Sequence, residues 1–143
     1  MPFIRYQYCL DTLEVVIWQK SILDVADSIA VAMQVPPQLV YEIGFNESKW
    51  PRIYDLSYLI VFGDLQVIDR TFHHFYKRLG LKGGKTRINY LIVGIYYLRL
   101  NYEQQGSWRK ARYAYGRGFW KPPNQWTSLE KKFMNRIDWS RYD

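Results

Sequence analysis

Prolines and glycines divide this chain into short segments whose apolar residues recur at helical spacing. Pro36-Pro37 separates a pattern that ends at Met33 from one that ends near Glu47. Gly80 and the exposed pair Gly83-Gly84 separate two later patterns in the same way. No stretch shows sustained alternation of apolar and polar residues, the pattern of a half-buried strand. The sequence therefore predicts a mainly α fold.

Caps and breakers set the expected boundaries of the helices. Asp11-Thr12-Leu13-Glu14 resembles a capping box, and Pro37 suits the first turn of a helix. We expect helices from about 12 to 33, as one helix or two, and over about 37–47, 69–79, 86–102, 107–115 and 127–137. The wholly apolar run Leu56–Phe62 fits a strand or a buried helix equally well. Gly94 indicates a close helix contact.

Composition excludes some classes of protein and leaves others open. The chain has 143 residues, the size of one domain, and its 48% hydrophobic content excludes an intrinsically disordered protein. Aromatic residues make up 18%, which is more than a small core needs. We therefore expect many of these rings at surfaces or in a groove.

Charge is distributed unevenly along the chain. Residues 1–69 carry a net charge of −5, residues 70–121 carry +11, and the whole chain carries +7. Such a balance predicts an anionic partner, whether nucleic acid, a membrane surface or the bacterial cell wall. The basic cluster Arg109–Tyr113, with its interleaved tyrosines, suits nucleic acid or a plain solvated face.

Features of targeting and metal binding are weak. The N-terminus lacks the pattern of a signal peptide, and the longest apolar runs are too short to cross a bilayer. Cys9 is the only cysteine, which excludes an intrachain disulfide and favours a small buried residue. His73-His74 lacks a third ligand at suitable spacing, and Lys82–Thr86 lacks the first glycine of a phosphate loop. We expect neither a metal nor a cofactor.

Four segments, in order along the chain, carry a resemblance to one family. They are Pro37–Ser48 (PQLVYEIGFNES), Ser57 with Gly63, Gln66 and Thr71, Gly94–Leu98 (GIYYL), and Ala114–Gly118 (AYGRG). Together they resemble the lysozyme-like lytic transglycosylases, the soluble, goose-lysozyme-like family, over residues 25–139. The chain departs from the family pattern, which makes the resemblance divergent, at Ile60, Val61, Asp69, Tyr90 (with Asn89 one place off) and Gly116.

The resemblance implies a single lysozyme-like domain over 1–143, with a cleft that binds a peptidoglycan glycan strand. It implies cleavage of the MurNAc-β-1,4-GlcNAc bond with a 1,6-anhydro product, and one glutamate, Glu47, as acid and then base. Ser48 and Ser57 would orient this carboxylate by hydrogen bonds, although Ser48 fits a simple helix end equally well. Gln66 would line the cleft. Tyr115 would lie near Glu47, with half-buried packing as its alternative role, and Tyr97 would belong to the core or to the cleft wall.

The position of Glu47 also has a physical reading of its own. A glycosidic oxygen leaves only when it is protonated, so cleavage needs a protonated carboxylic acid. The negative end of the helix dipole disfavours an ionised carboxylate at Glu47, and shielding by Phe45 or Trp50 would favour the protonated acid further. A solvated glutamate at a helix end is the alternative.

Two other functions stay open at this point. If Asp55 or Asp64 faced the cleft, it could activate water, and the protein would be a hydrolytic lysozyme; each fits an ordinary loop aspartate as well. A non-enzymatic virion or nucleic-acid-binding protein with a lysozyme-like fold is the alternative from another class.

The expected location follows from the same resemblance. Small size and the lack of a visible export signal fit a bacteriophage protein that is carried in the virion or made during lysis. Such a protein would act at the bacterial cell wall and could have other virion proteins as partners. A bacterial enzyme whose leader is missing is the alternative. Peptidoglycan is the expected partner in preference to nucleic acid.

Overall fold

The fold is known from a computed structural model that describes residues 12–48 and 63–143, with side chains described from Ile22 onwards except that of Ser48. Some residues singled out by the sequence lie outside the described residues: Cys9, Asp11, Trp50, Asp55, Ser57 and the apolar run 56–62. The side chain of Ser48 lies outside them as well.

Six α-helices make up the described part of the chain, which has no β-strand. They are α1 (Thr12–Ala32), α2 (Pro37–Ser48), α3 (Asp69–Arg78), α4 (Arg87–Gln105), α5 (Trp108–Arg117) and α6 (Ser128–Met134). Two short 3-10 helices, Pro123–Gln125 and Trp139–Arg141, follow α5 and α6. The mainly α prediction is confirmed.

Local sequence sets the helix ends. Thr86, Ser107 and Thr127 cap α4, α5 and α6 with their side-chain oxygens, and Glu130 completes a capping box with Thr127. The first segment forms one helix, where the sequence left one or two. It ends in a Schellman-type turn with Gln34 at φ +57°, in which Val35 N–H donates to Ala30 O at 2.9 Å.

The core is centred on α4. This helix packs against α1, α3 and α5, while α2 packs against α1 and α6 against α5. Its buried apolar residues meet others from α1, α2 and α3. Tyr90, Tyr113 and Phe72 are fully enclosed, so part of the aromatic excess serves helix packing rather than a surface or groove. None of the described helices is long and apolar enough to cross a membrane.

Gly94 makes a close contact, but the expected partner was wrong. A Cβ at this position would lie 2.7 Å from Leu65 Cδ1 and 3.2 Å from Val67 Cγ2. Leu65 and Val67 belong to the segment between residues 63 and 68, not to a helix. The absence of a side chain at Gly94 therefore lets this segment pack directly on α4.

Candidate active site

A cavity of about 360 Å³ is lined by four of the six site residues expected from the sequence. Glu47, Gln66, Tyr97 and Tyr115 all line it. They come from α2, from the 63–68 segment, from α4 and from α5. The cavity is also lined by six residues that the sequence did not predict as site residues: Val67, Ile68, Thr71, Gly116, Arg117 and Gly118.

Glu47 lies in the last turn of α2 and is ion-paired. Arg112 Nη2 donates to Glu47 Oε1 at 2.7 Å; the side chain of Glu47 is 28% exposed and that of Arg112 only 1%. The guanidinium carbon lies 4.7 Å from the ring centroid of Phe133 and 5.9 Å from that of Tyr115. A guanidinium at this distance stabilises a carboxylate anion and fixes its orientation.

Arg112 corrects one expectation and adds a residue that sequence reasoning missed. The sequence of the cluster Arg109–Tyr113 favours a solvated basic face or a nucleic-acid surface, but Arg112 and Tyr113 are both buried. Helical spacing could have identified Arg112 as a site residue, because it precedes Tyr115 by about one turn of α5 and so shares its face.

Phe45 does not provide the expected shield for Glu47. Its side chain is 48% exposed and lines a different pocket with Tyr41 and Glu42. Trp50, the other candidate, lies outside the described residues. The described aromatic rings beside Glu47 in the cavity are those of Tyr97 and Tyr115.

Tyr115 forms a wall of the cavity and is fixed by its hydroxyl group. The hydroxyl donates to Leu65 O at 2.7 Å, and the ring lies 5.3 Å from that of Tyr97, centroid to centroid. Burial, followed by the negative charge of Glu47, raises the pKa of Tyr115 far above its usual value. Tyr115 is therefore a neutral hydrogen-bond donor that ties α5 to the 63–68 segment.

Gln66 lies in an unusual backbone conformation. Its φ is +52°, in the left-handed region that a side chain other than glycine rarely adopts. Its side-chain Nε2 donates to Gly63 O at 2.7 Å, which closes a tight loop. Such strain often occurs at functional sites, and here it directs a fixed amide into the cavity wall.

Asp64 is buried in an ion pair away from the cavity. It is fully buried, and its two oxygens accept 2.7 Å hydrogen bonds from Arg87 Nε and Nη2. This bidentate pair joins the 63–68 segment to the start of α4, and Asp64 does not line the cavity. Asp64 therefore does not face the described cavity, and Asp55 lies outside the described residues.

Within residues 12–48 and 63–143, no three histidine, cysteine or acidic residues are grouped as a metal site would require.

Comparison of the chain with protein-family models, with curated proteins and with solved structures found no match.

Proposed function

We propose that this protein is a divergent lysozyme-like lytic transglycosylase that cleaves the MurNAc-β-1,4-GlcNAc bond of peptidoglycan. One observation carries the proposal: Glu47, Gln66, Tyr97 and Tyr115, chosen from separate sequence segments, line a single cavity. A cavity with one carboxylate, one fixed amide and two phenol rings has the groups that a glycan site needs.

The proposed reaction uses Glu47 twice. As the acid, it gives its proton to the glycosidic oxygen, and the bond between this oxygen and C1 of MurNAc breaks with help from the N-acetyl oxygen. As the base, the resulting carboxylate takes the proton of the C6 hydroxyl, whose oxygen bonds to C1, displaces the assisting N-acetyl oxygen and closes the 1,6-anhydro ring. Glu47 ends protonated as it began, and no water is consumed.

Arg112 fits the second half of this cycle directly. Its hydrogen bond to Glu47 Oε1 holds the carboxylate in place, and its charge stabilises the anion that protonation of the leaving group creates. The first half requires that Glu47 holds a proton when the glycan fills the cavity. Arg112 is therefore a positioning residue whose hold on Glu47 has to weaken before the first proton transfer.

The rest of the cavity supports sugar binding. Gln66 Nε2 is engaged with Gly63 O, so its carbonyl oxygen is the atom suited to an acetamido N–H. The rings of Tyr97 and Tyr115 offer apolar faces to sugar rings. Ile68 adds an apolar surface at the cavity and is 60% exposed.

The decisive experiment compares Glu47→Gln with the wild type on purified peptidoglycan. We expect the substitution, which keeps the shape and removes the acid, to lower muropeptide release by about 10²- to 10⁴-fold. Asp27→Asn is the matched control, because Asp27 is an exposed carboxylate on α1 that lines neither the cavity nor the pocket beside it. Equal release by Glu47→Gln and the wild type would refute the catalytic role.

Mass spectrometry of the products tests the reaction type. Anhydro ends are lighter by one water than hydrolysed ends, so the proposed reaction and a hydrolytic lysozyme give different masses. If no muropeptides are released, and DNA binds in a manner that salt abolishes, the non-enzymatic alternative replaces the proposal.

A further inference from the structure

A second pocket, of about 300 Å³, also has Glu47 in its wall. It lies between α2, α5 and α6, and it shares Glu47, Gly116 and Arg117 with the cavity. Its remaining lining residues are Asn46, Arg112, Leu129, Lys132, Phe133 and Arg136. We refer to it as the cationic pocket, because four of its residues are basic and Glu47 alone is acidic.

Two of the four positive charges have no counter-charge among the described residues. Arg112 pairs with Glu47, and Arg117 Nε lies 3.0 Å from Oε2 of the buried Glu130. Lys132 and Arg136 are exposed, and neither has an ion-pair partner within the part of the chain that the structure describes. The pocket therefore has an excess of positive charge beside the proposed catalytic acid.

Arg112 gives a second, independent indication of a ligand. Its side chain is 99% buried, and its Nε and Nη1 have no hydrogen-bond partner among the described residues. A buried donor without an acceptor costs free energy, so such groups favour an acceptor beyond the described residues, such as a bound ligand. Nη1 lies close to Gly116, where a Cβ would be only 3.3 Å away, and the ring of Phe133 covers the guanidinium at 4.7 Å.

We propose that the cationic pocket binds a carboxylate of the peptide stem while the glycan strand occupies the cavity beside it. The inference rests on the proposed function, since it assigns the stem of that substrate to the pocket. Lys132 and Arg136 attract the carboxylate from solvent, and Arg112 lies at the inner wall, where it also holds Glu47.

The shared guanidinium links stem binding to the chemistry. A second carboxylate near Arg112 competes with Glu47 for the same positive charge. Stem binding thus weakens the pair that opposes the first proton transfer. A glycan with stems is then a better substrate than a bare glycan, for a reason that goes beyond affinity.

Calorimetry with a soluble muropeptide tests the binding. The probe is MurNAc-L-Ala-D-Glu, and the comparison ligand is the same compound with both carboxylates converted to amides. We expect the double substitution Lys132→Gln/Arg136→Gln to weaken binding of the acidic form about fivefold and to leave the amide form unchanged. The pair Lys132→Arg/Arg136→Lys keeps the charges and should bind as the wild type does.

Lys110→Gln/Lys131→Gln is the matched control, since both lysines are exposed and line neither pocket. Equal weakening by this control would reduce the effect to general charge and overturn the proposal. Equal binding of the acidic and amide forms would overturn it too, as would displacement of the acidic form by an equal concentration of inorganic phosphate.

The outcome is separable from that of the catalytic test, because calorimetry needs no bond cleavage. If Glu47→Gln stays active, the proposed catalysis fails while the carboxylate measurement stands by itself. If the catalysis holds, the wild type should cleave stemmed peptidoglycan faster than amidase-treated glycan, and the Lys132→Gln/Arg136→Gln protein should lose most of this preference.

Discussion

At the scale of single residues, Tyr115 shows how one hydroxyl group serves both stability and the site. Its hydrogen bond to Leu65 O holds the 63–68 segment against α5, and its ring forms part of the cavity wall. Burial and the charge of Glu47 raise its pKa, so the folded chain keeps the phenol proton in a range where an unfolded chain loses it.

This gives a prediction at alkaline pH. An unfolded tyrosine loses its proton near pH 10, whereas the folded Tyr115 keeps it, so the free energy of unfolding should fall as pH rises above about 10. Tyr115→Phe should make this decline shallower, by at most about 1.4 kcal/mol per pH unit. Part of the decline should remain in this variant, because burial also raises the pKa values of Tyr113 and Tyr142. Urea denaturation between pH 9 and 11.5 measures the slope, and a variant as steep as the wild type would contradict the prediction.

At the scale of elements, α4 positions the cavity through Gly94, where the helix has no side chain. Gly94 lets Leu65 and Val67 lie against the helix, and this places the Leu65 carbonyl where Tyr115 can reach it. In an isolated helix, alanine would be more favourable than glycine by about 1 kcal/mol. The packing requirement at this position outweighs that preference.

We therefore expect Gly94→Ala to destabilise the protein by about 1–3 kcal/mol, because the new methyl group would overlap Leu65 Cδ1 at 2.7 Å. It should also reduce activity by displacing the segment that carries Gln66. Thermal and urea denaturation measure the first effect and muropeptide release the second. Gln104→Ala, at an exposed site on the same helix, is the control and should change stability by less than about 0.5 kcal/mol.

At the scale of the whole molecule, the last described residues join distant helices. The carboxylate of Asp143 accepts hydrogen bonds from the backbone N–H groups of Trp108 and Arg109, at 2.7 and 2.9 Å, at the start of α5. Tyr142 donates its hydroxyl to Glu42 on α2 at 2.9 Å. The tail therefore ties α5, which carries Arg112 and Tyr115, to α2, which carries Glu47.

Loss of the Asp143 contact should lower stability. Its carboxylate caps two free N–H groups at the positive end of α5, so Asp143→Ala should cost about 0.5–2 kcal/mol. The midpoint of urea denaturation measures this cost, and Asp27→Ala on α1 is the matched control. A midpoint no lower than that of the control would show that the tail contact adds nothing to stability.

Much of the fold was accessible from local sequence, because breakers and caps act over a few residues. Pro37, Thr86 and Thr127 each open a helix where the sequence predicted one. Contacts between distant segments were harder to predict. The prediction that Gly94 contacts another helix was wrong. The bidentate Asp64–Arg87 pair was not predicted, since the sequence near either residue does not indicate the other.

The candidate site shows the same division. Family-like spacing identified Glu47, Gln66, Tyr97 and Tyr115, and all four line one cavity. Arg112 was missed because an arginine in a basic run favours a solvated face, and only the approach of α2 to α5 turns it into a buried partner of Glu47.

Gly116 lies in the wall that the cavity and the cationic pocket share, and it offers backbone alone at that point. A linear polymer needs only one channel, whereas a branched one needs a junction where the branch can leave the main chain. If the glycan and its stem bind as proposed, Gly116 lies where the branch would have to pass. The size of the residue at position 116 would then decide whether the protein accepts branched strands or only unbranched ones.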